Sequence, residues 1–492
     1  WRGTEARRVQ IAVEMVATGD YLVPRLWGEP TFAKPPFYYW VLAAQLHAFG
    51  LHEWSMRLPS VLAFFALAVL GFHLLSRWHG RAAGWLGAAG LLVAPVVTFD
   101  VPFAEIDPVF AALTAASLLF LAEGVLRARR AALVAAGVLG ALAILTKGPP
   151  YLMFCAGPLV CWWRHSRLRG WAFFLPWLPL LWGGYRLLLG PAAGAADVGD
   201  TAVDESLGRL EFWHPQALAG IPSHLLRSVL LMGLPFSPWL WKWWRETRRA
   251  TDLASRQQSF LVFAAAGAAL ILLLARDRPT RYMLPAVPLL VFGLAPLAAQ
   301  SLRSTAPLPG AVAHALRWFG ALCAIALLVM PWLPFPYPGL TPIALAALAT
   351  AFWWVGSARR ITAYALAMPL LVGWFAYPDR VRYFAADSDF APTPAAVLAR
   401  ACTVRGVREV GTYGDVGTSV LMYTREGVPG LQIHGDPTMR RPPQQRFVLV
   451  QDRGSVKRPE RAAVEWRELP GYRDVLRVQM GRSKSVSLRE RQ

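Results

Sequence analysis

Arg57-Leu58-Pro59-Ser60-Val61-Leu62-Ala63-Phe64-Phe65-Ala66-Leu67-Ala68-Val69-Leu70-Gly71-Phe72-His73-Leu74-Leu75-Ser76-Arg77 is an apolar run closed by an arginine at each end, and its reading decides the fold. Between the arginines His73 is the one ionisable side chain. A helix of about 20 such residues spans the ~30 Å hydrocarbon core of a bilayer. Runs of this kind recur to about Tyr377 and then stop. Taken at 57–76, 82–98, 107–126, 131–146, 149–163, 170–189, 223–241, 259–275, 282–300, 314–332, 340–357 and 361–377, they number twelve. Composition agrees: 55% of the 492 residues are hydrophobic and 16% charged, against ~25% charged in soluble domains. Trp78, Trp162, Trp163, Trp241, Trp243 and Trp244 sit at run ends, where an aromatic belt belongs. The fold class expected is a polytopic α-helical membrane protein.

The net charge of +20 would suit a nucleic-acid binder if the basic residues shared one face. They fall instead between the apolar runs, so no nucleic-acid partner is expected. One set of connections carries Arg77 and Arg81; Arg127, Arg129 and Arg130; Arg164, Arg167 and Arg169; Lys242, Arg245, Arg248, Arg249 and Arg256; Arg303; and Arg359 and Arg360. The other set, around 99–106, 190–222 and 333–339, carries almost none. The positive-inside rule makes the basic set cytoplasmic. Residues 1–56 and those after 378 then lie outside, and a span preceding Trp1 is expected to have carried the N-terminus across. Cys155, Cys161 and Cys323 fall in spans and Cys402 is alone outside, so no disulfide framework is expected.

Three domains follow: 1–56, 57–378 and 379–492. In the first, Val9, Ile11, Ala12, Met15 and Val16 repeat at helical spacing opposite Arg7, Arg8, Gln10 and Glu14, the pattern of a helix on the membrane surface. Lys34-Pro35-Pro36 opens a second apolar helix to about Phe49, with Pro36 suited to its first turn. In the last, 392–402 reads as a helix and 408–413, 429–433, 446–451 and 473–479 as strands, which makes a small α/β domain.

Charges at membrane depth or its edge are costly and are functional candidates by default. Four clusters qualify, all on the outer side of this topology. Glu5 with Arg7 and Arg8 is either functional or a solvated helix start. Lys34 either binds an anion or snorkels to headgroups. Glu105 and Asp107 are either site residues or helix caps. Lys147 and the group Arg276, Asp277, Arg278 and Arg281 defy the inside bias for basic residues, which a bound anion explains. Carboxylates plus cations at the water boundary match an amphipathic anion such as a lipid phosphate. No Walker loop, dinucleotide fingerprint, HExxH or GxSxG elbow is present.

The strings Glu5-Ala6-Arg7, Glu14-Met15, Gly19-Asp20, Val23-Pro24-Arg25-Leu26, Gly28-Glu29-Pro30, Lys34-Pro35-Pro36-Phe37-Tyr38-Tyr39-Trp40 and Arg57-Leu58-Pro59-Ser60 resemble the first extracytoplasmic loop of bacterial GT-C glycosyltransferases. These are the aminoarabinose–lipid A transferases and their protein-mannosyltransferase relatives. Ala104-Glu105-Ile106-Asp107, Thr146-Lys147-Gly148-Pro149 and Arg281-Tyr282-Met283-Leu284-Pro285 resemble later landmarks of the same family. The resemblance implies inverting transfer of one sugar from a polyprenyl-phosphate donor to a lipid A-like or protein acceptor, at the outer face of the bacterial inner membrane. It implies that Lys34, Arg7 and one of Arg276, Arg278 or Arg281 hold the donor phosphate. Tyr38, Tyr39, Tyr282 and Lys147 would line the donor pocket.

Two departures bear on catalysis. The family's usual Asp-Glu pair is Thr4-Glu5 here, so Glu5 is the nearest carboxylate for the base, with Asp107 second and Glu105 beside it. Ala33 stands where a glutamate often precedes Lys-Pro-Pro, and His214 alone is a poor ligand, so no obligatory metal or other cofactor is expected. The competing readings are a transporter of polyprenyl-linked sugars and a carrier-lipid binder that has lost catalysis.

Overall fold

A computed structural model describes residues 4–162, 171–189, 236–273, 280–303, 392–413, 418–435, 445–451, 472–480 and 484–492, together with positions 313, 314 and 318. The chain forms two compact units. One comprises Trp1–Thr31, Tyr39–Met56 and Arg380–Gln492, the other Phe32–Tyr38 and Arg57–Asp379.

The N-terminal part of the first unit begins with α1 (Thr4–Thr18), followed by the two-residue strands β1 (Arg25–Leu26) and β2 (Glu29–Pro30) and by α2 (Phe37–Phe49). Ala6, Val9, Ile11, Ala12 and Met15 of α1 are all buried, so the apolar stripe expected to face lipid is covered by protein. Its polar side is engaged too. The Glu14 carboxylate accepts hydrogen bonds from the Trp27 and Gly28 amides at 2.7 and 2.9 Å and from Gln10 Nε2 at 2.7 Å. Trp27 and Gly28 form the two-residue β1–β2 turn, with φ of 56° and 84°. Tight hairpins require that left-handed geometry. A tryptophan adopts it at a cost, which the grip of Glu14 on both amides offsets.

The second unit is a helical bundle. Along the chain come α3 (Glu53–His79), α4 (Arg81–Val93), α5 (Pro95–Asp100), α6 (Ile106–Arg127), α7 (Arg130–Lys147), α8 (Tyr151–Trp162), α9 (Trp177–Leu189), the single turn α10 (Trp239–Lys242), α11 (Leu253–Leu273) and α12 (Ala286–Arg303). Among the described residues α3, α6, α7 and α12 are long and apolar enough to cross a membrane. The run expected at 82–98 is broken at Ala94, whose ψ of 130° is extended. Pro95 follows it, and a residue before proline is pushed out of the helical region. The expected spans 340–357 and 361–377, nearly all of 314–332 and most of 223–241 lie outside the described residues.

α6 and α7 form an antiparallel hairpin closed by Ala128 in a left-handed conformation, φ 54°. Between them Ser117 Oγ donates to the Ala136 carbonyl at 2.7 Å and also lies 2.7 Å from the Tyr151 hydroxyl of α8. α11 packs against α6, α8 and α12, α4 packs on α12, and α9 on α7. Lipid tails supply no hydrophobic drive between helices, so close backbone approach must supply contact energy. α8 and α11 meet at Gly157 and Gly267: a Cβ built on Gly157 would lie 2.0 Å from the Phe263 carbonyl oxygen, and one on Gly267 2.7 Å from the Gly157 nitrogen.

The C-terminal part of the first unit contains α13 (Pro392–Val404), β3 (Glu409–Tyr413), α14 (Thr418–Glu426), β4 (Gln432–Gly435), β5 (Phe447–Gln451), β6 (Tyr472–Met480) and β7 (Lys484–Arg491). The sheet order is β4-β3-β5-β7-β6, parallel across the first three strands and antiparallel thereafter. α13 and α14 pack on each other, and α1 packs on α14. Cys402 of α13 is buried among apolar side chains, and burial pushes its thiol up to about 11. The sequence pattern indicated α13 and β3–β6 but neither α14 nor β7.

Candidate functional site

The open end of the α6–α7 hairpin brings together residues 40 positions apart. Asp107 lies in the first turn of α6, where a carboxylate suits the helix dipole. Lys147 is the last residue of α7, ended by Gly148 at φ 90°. The Lys147 ammonium donates to Asp107 Oδ1 in a close ion pair, the side chains 6% and 14% exposed. That ammonium also sits 4.1 Å from the centroid of the Tyr282 ring and 5.3 Å from that of Phe110. A cation against two aromatic faces and one carboxylate is held in place and largely stripped of water. Such a group is suited to neutralising an anion that arrives beside it.

Tyr282 reaches this position from the 3₁₀ turn Thr280–Met283 preceding α12. The backbone of Arg281 lies in the same turn, while Arg276 and Arg278 lie outside the described residues. Glu105 occupies the N-cap position of α6 with extended backbone, but its side chain makes no capping hydrogen bond. The capping reading therefore does not account for it. Nearby in the chain, the Arg57 guanidinium stands 5.6 Å from the centroid of the Phe103 ring. Lys34 is half-buried in the segment leading into α2, and Tyr38 is fully buried.

In the first unit, Glu5 is buried in the first turn of α1 and Arg7 and Arg8 are half-buried. Arg8 Nη1 donates to the Tyr39 hydroxyl at 3.0 Å. The reading of this cluster as a solvated helix start does not hold for Glu5, which is 0% exposed. Among the described residues no three His, Cys, Asp or Glu side chains gather as a metal site requires, and His214 lies outside them.

The structure thus joins Asp107, Lys147 and Tyr282, three candidates that the sequence offered separately. It adds Phe110, which sequence reasoning passed over as one more apolar residue of a span. Its signal was position: it follows Asp107 by three, which puts both on one helix face.

Residues 33–183 match the family described as dolichyl-phosphate-mannose-protein mannosyltransferase, a stretch that contains Lys34, Glu105, Asp107 and Lys147. The chain is 33% identical over 178 residues to an undecaprenyl phosphate-alpha-4-amino-4-deoxy-L-arabinose arabinosyl transferase of Pseudomonas aeruginosa (strain LESB58), covering 34% of this chain and 32% of that one. It is 30% identical over 156 residues to one numbered 2 of Sodalis glossinidius (strain morsitans), covering 30% and 28%. The matched part is under a third of the length of either relative. The crystal structure of ArnT from Cupriavidus metallidurans bound to undecaprenyl phosphate shares the fold over 99% of this chain and 93% of that chain, with a TM-score of 0.67 at 18% identity.

The family match thus covers under a third of the chain, and the shared fold nearly all of it. In sequence the chain is similar to arabinosyl transferases over that limited stretch, and in fold to ArnT.

Proposed function

We propose that this protein is a glycosyltransferase of the inner membrane that moves one sugar, with inversion, from a polyprenyl-phosphate carrier to a lipid A-like acceptor. The observation that carries the reading is the buried Lys147 ammonium held by Asp107 and the Phe110 and Tyr282 rings. It lies in a stretch matched by a family named for dolichyl-phosphate-mannose chemistry. The relatives' names, which specify undecaprenyl phosphate and 4-amino-4-deoxy-L-arabinose, support that donor class here.

Cleavage of the bond between the anomeric carbon and the carrier phosphate returns both electrons to the phosphate. A leaving group already stable as an anion needs cations more than a general acid. Lys147 is the preset cation in this reading, with Asp107 as its positioning counter-ion; Lys34, Arg7 and one of Arg276, Arg278 or Arg281 share the phosphate. Glu5 takes the proton from a hydroxyl acceptor. Tyr38, Tyr39 and Tyr282 line the path of the donor. The arginine-rich ends of the helices are cytoplasmic by the positive-inside rule, so this chemistry is extracytoplasmic.

The test is purified protein supplied with a radiolabelled polyprenyl-phosphate sugar and lipid A. Release of free carrier phosphate coupled to labelling of the lipid supports the proposal. Donor binding without release in the presence of either a lipid or a peptide acceptor overturns it.

A further inference from the structure

The opposite end of the α6–α7 hairpin holds a second ionic cluster that the proposed reaction does not use. Glu123 is one turn from the end of α6 and 3% exposed. Its carboxylate accepts a hydrogen bond from Trp78 Nε1 at 2.7 Å and faces Arg77 at 3.8 Å, Arg127 at 3.4 Å and Arg129 at 3.3 Å. One carboxylate offers about four acceptor positions, whereas each guanidinium carries five N–H donors. Glu123 therefore orders the arginines without saturating them. Arg77 and Arg129 keep side-chain exposures of 39% and 51%. Arg130 adds a third exposed guanidinium, its plane carbon 5.4 Å from the Phe173 ring centroid.

Arg77, Glu123, Arg129 and Arg130 rim a partly open cavity of about 620 Å³ between α3, α6 and α7. Its walls change character along one helix face. Leu70, His73, Leu74 and Arg77 of α3 stand at i, i+3, i+4 and i+7, so the groove runs from apolar to cationic over roughly 10 Å. Phe120 and Ala132 continue the apolar wall across α6 and α7. A groove with an apolar body at membrane depth and a surplus of cations at its mouth is complementary to a lipid with an anionic headgroup. A small hydrated anion would use the arginines and leave the apolar wall without a partner.

We infer that this groove is a binding site for an anionic phospholipid, its phosphate at Arg77, Arg129 and Arg130 and an acyl chain along Leu70, Leu74 and Phe120. The site is separate from that of the proposed transfer reaction, at the other end of the same two helices. By the charge rule its lipid belongs to the cytoplasmic leaflet, where anionic headgroups meet basic pockets between spans. Glu123 is the positioning residue that presets the arginines.

The experiment uses the full chain, purified in mild detergent. Retained lipid is read by native mass spectrometry, and the melting temperature is followed as phosphatidylglycerol, phosphatidylcholine or inorganic phosphate is added. The wild type keeps phosphatidylglycerol through delipidation and is stabilised by it far more than by the other two. Arg77→Gln with Arg129→Gln weakens that retention by about tenfold or more. Ala131→Trp, which fills the groove mouth and leaves every arginine in place, weakens it similarly; Ala131 is exposed there. Should the double variant fail to fold, Ala131→Trp decides alone. Unchanged retention in Ala131→Trp overturns the site, as does equal stabilisation by phosphatidylcholine. Stabilisation by inorganic phosphate matching that by phosphatidylglycerol replaces it with a simple anion site. Sugar transfer is not the readout, so the result stands whichever way the transferase proposal falls.

Discussion

The two ends of the α6–α7 hairpin pose the same electrostatic problem and solve it differently. At one end, among the described residues, the Asp107 carboxylate meets the Lys147 ammonium, and both are largely buried. At the other a buried carboxylate meets three guanidiniums, two of them more than a third exposed. Asp107 and Glu123 are 16 residues apart on one helix, about 24 Å. In the buried pair Asp107 offsets the Lys147 charge, but the ammonium is already fixed in place and largely dehydrated. The unbalanced cluster carries surplus cation at a water boundary, where the surplus costs little until a ligand uses it. The lesson is that burial decides whether an ion pair is a fixed tool or a docking point.

The comparison breaks most easily at Lys147. Lys147→Met removes the preset cation, and turnover is expected to fall by about 10²–10³, measured as carrier-phosphate release in a variant that still folds. Normal turnover would reduce the pair to a helix clamp. Glu5→Gln tests whether the carboxylate in the first loop acts as base, with an expected loss of about 10² in turnover and little change in donor affinity. If Glu5→Gln is silent while Asp107→Asn is inactive, the base belongs to the hairpin and the division of labour proposed here is wrong.

At the arginine-rich end the expected effects are on stability. Glu123→Gln leaves three guanidiniums facing one another without their counter-ion. Denaturation should show a loss of about 2 kcal/mol, less than for a fully dry pair because the cations are partly solvated. Turnover should stay within about twofold of the wild type, since the proposed transfer is assigned to the other end. A collapse of turnover with unchanged stability would mean that the two ends are coupled.

The smallest effect concerns Asp252, the residue before α11, whose Oδ2 accepts from the Ser255 amide at 2.9 Å. That hydrogen bond holds its carboxyl below the usual aspartate range. A lowered pKa in the folded protein stabilises the fold above the unfolded pKa and is lost as pH falls through the folded one. Asp252→Ala should therefore cost about 1 kcal/mol at neutral pH, the usual worth of such a cap. The difference from wild type should begin to close only as pH falls below the ordinary aspartate value of about 3.9. A gap that persists in acid would mean that the cap is not ionic.

Much of this was legible in the sequence, for physical reasons. A span announces itself locally, so α3, α6, α7 and α12 could be read from runs of apolar residues with arginines at their ends. Asp107 and Lys147 could each be singled out as charges where charge is costly. Their pairing could not, because it is a contact across 40 residues that only the hairpin creates. Glu123 was readable and was passed over: it is an acid inside an apolar run, and the arginines after it looked sufficient as a topology signal. β7 escaped for a different reason. Val486 and Leu488 alternate with Ser485, Ser487 and Arg489, but two apolar residues in an otherwise polar segment make too short a pattern to mark a strand. The apolar stripe of α1 was read correctly as amphipathic, yet pattern alone cannot say whether protein or lipid covers it.

Gly157 and Gly267 carry a consequence for substitution. Where α8 and α11 touch, main chain lies against main chain with no side chain between them. A side chain added at either glycine would have to push the two helices apart, so this crossing is the one least tolerant of substitution in that pair.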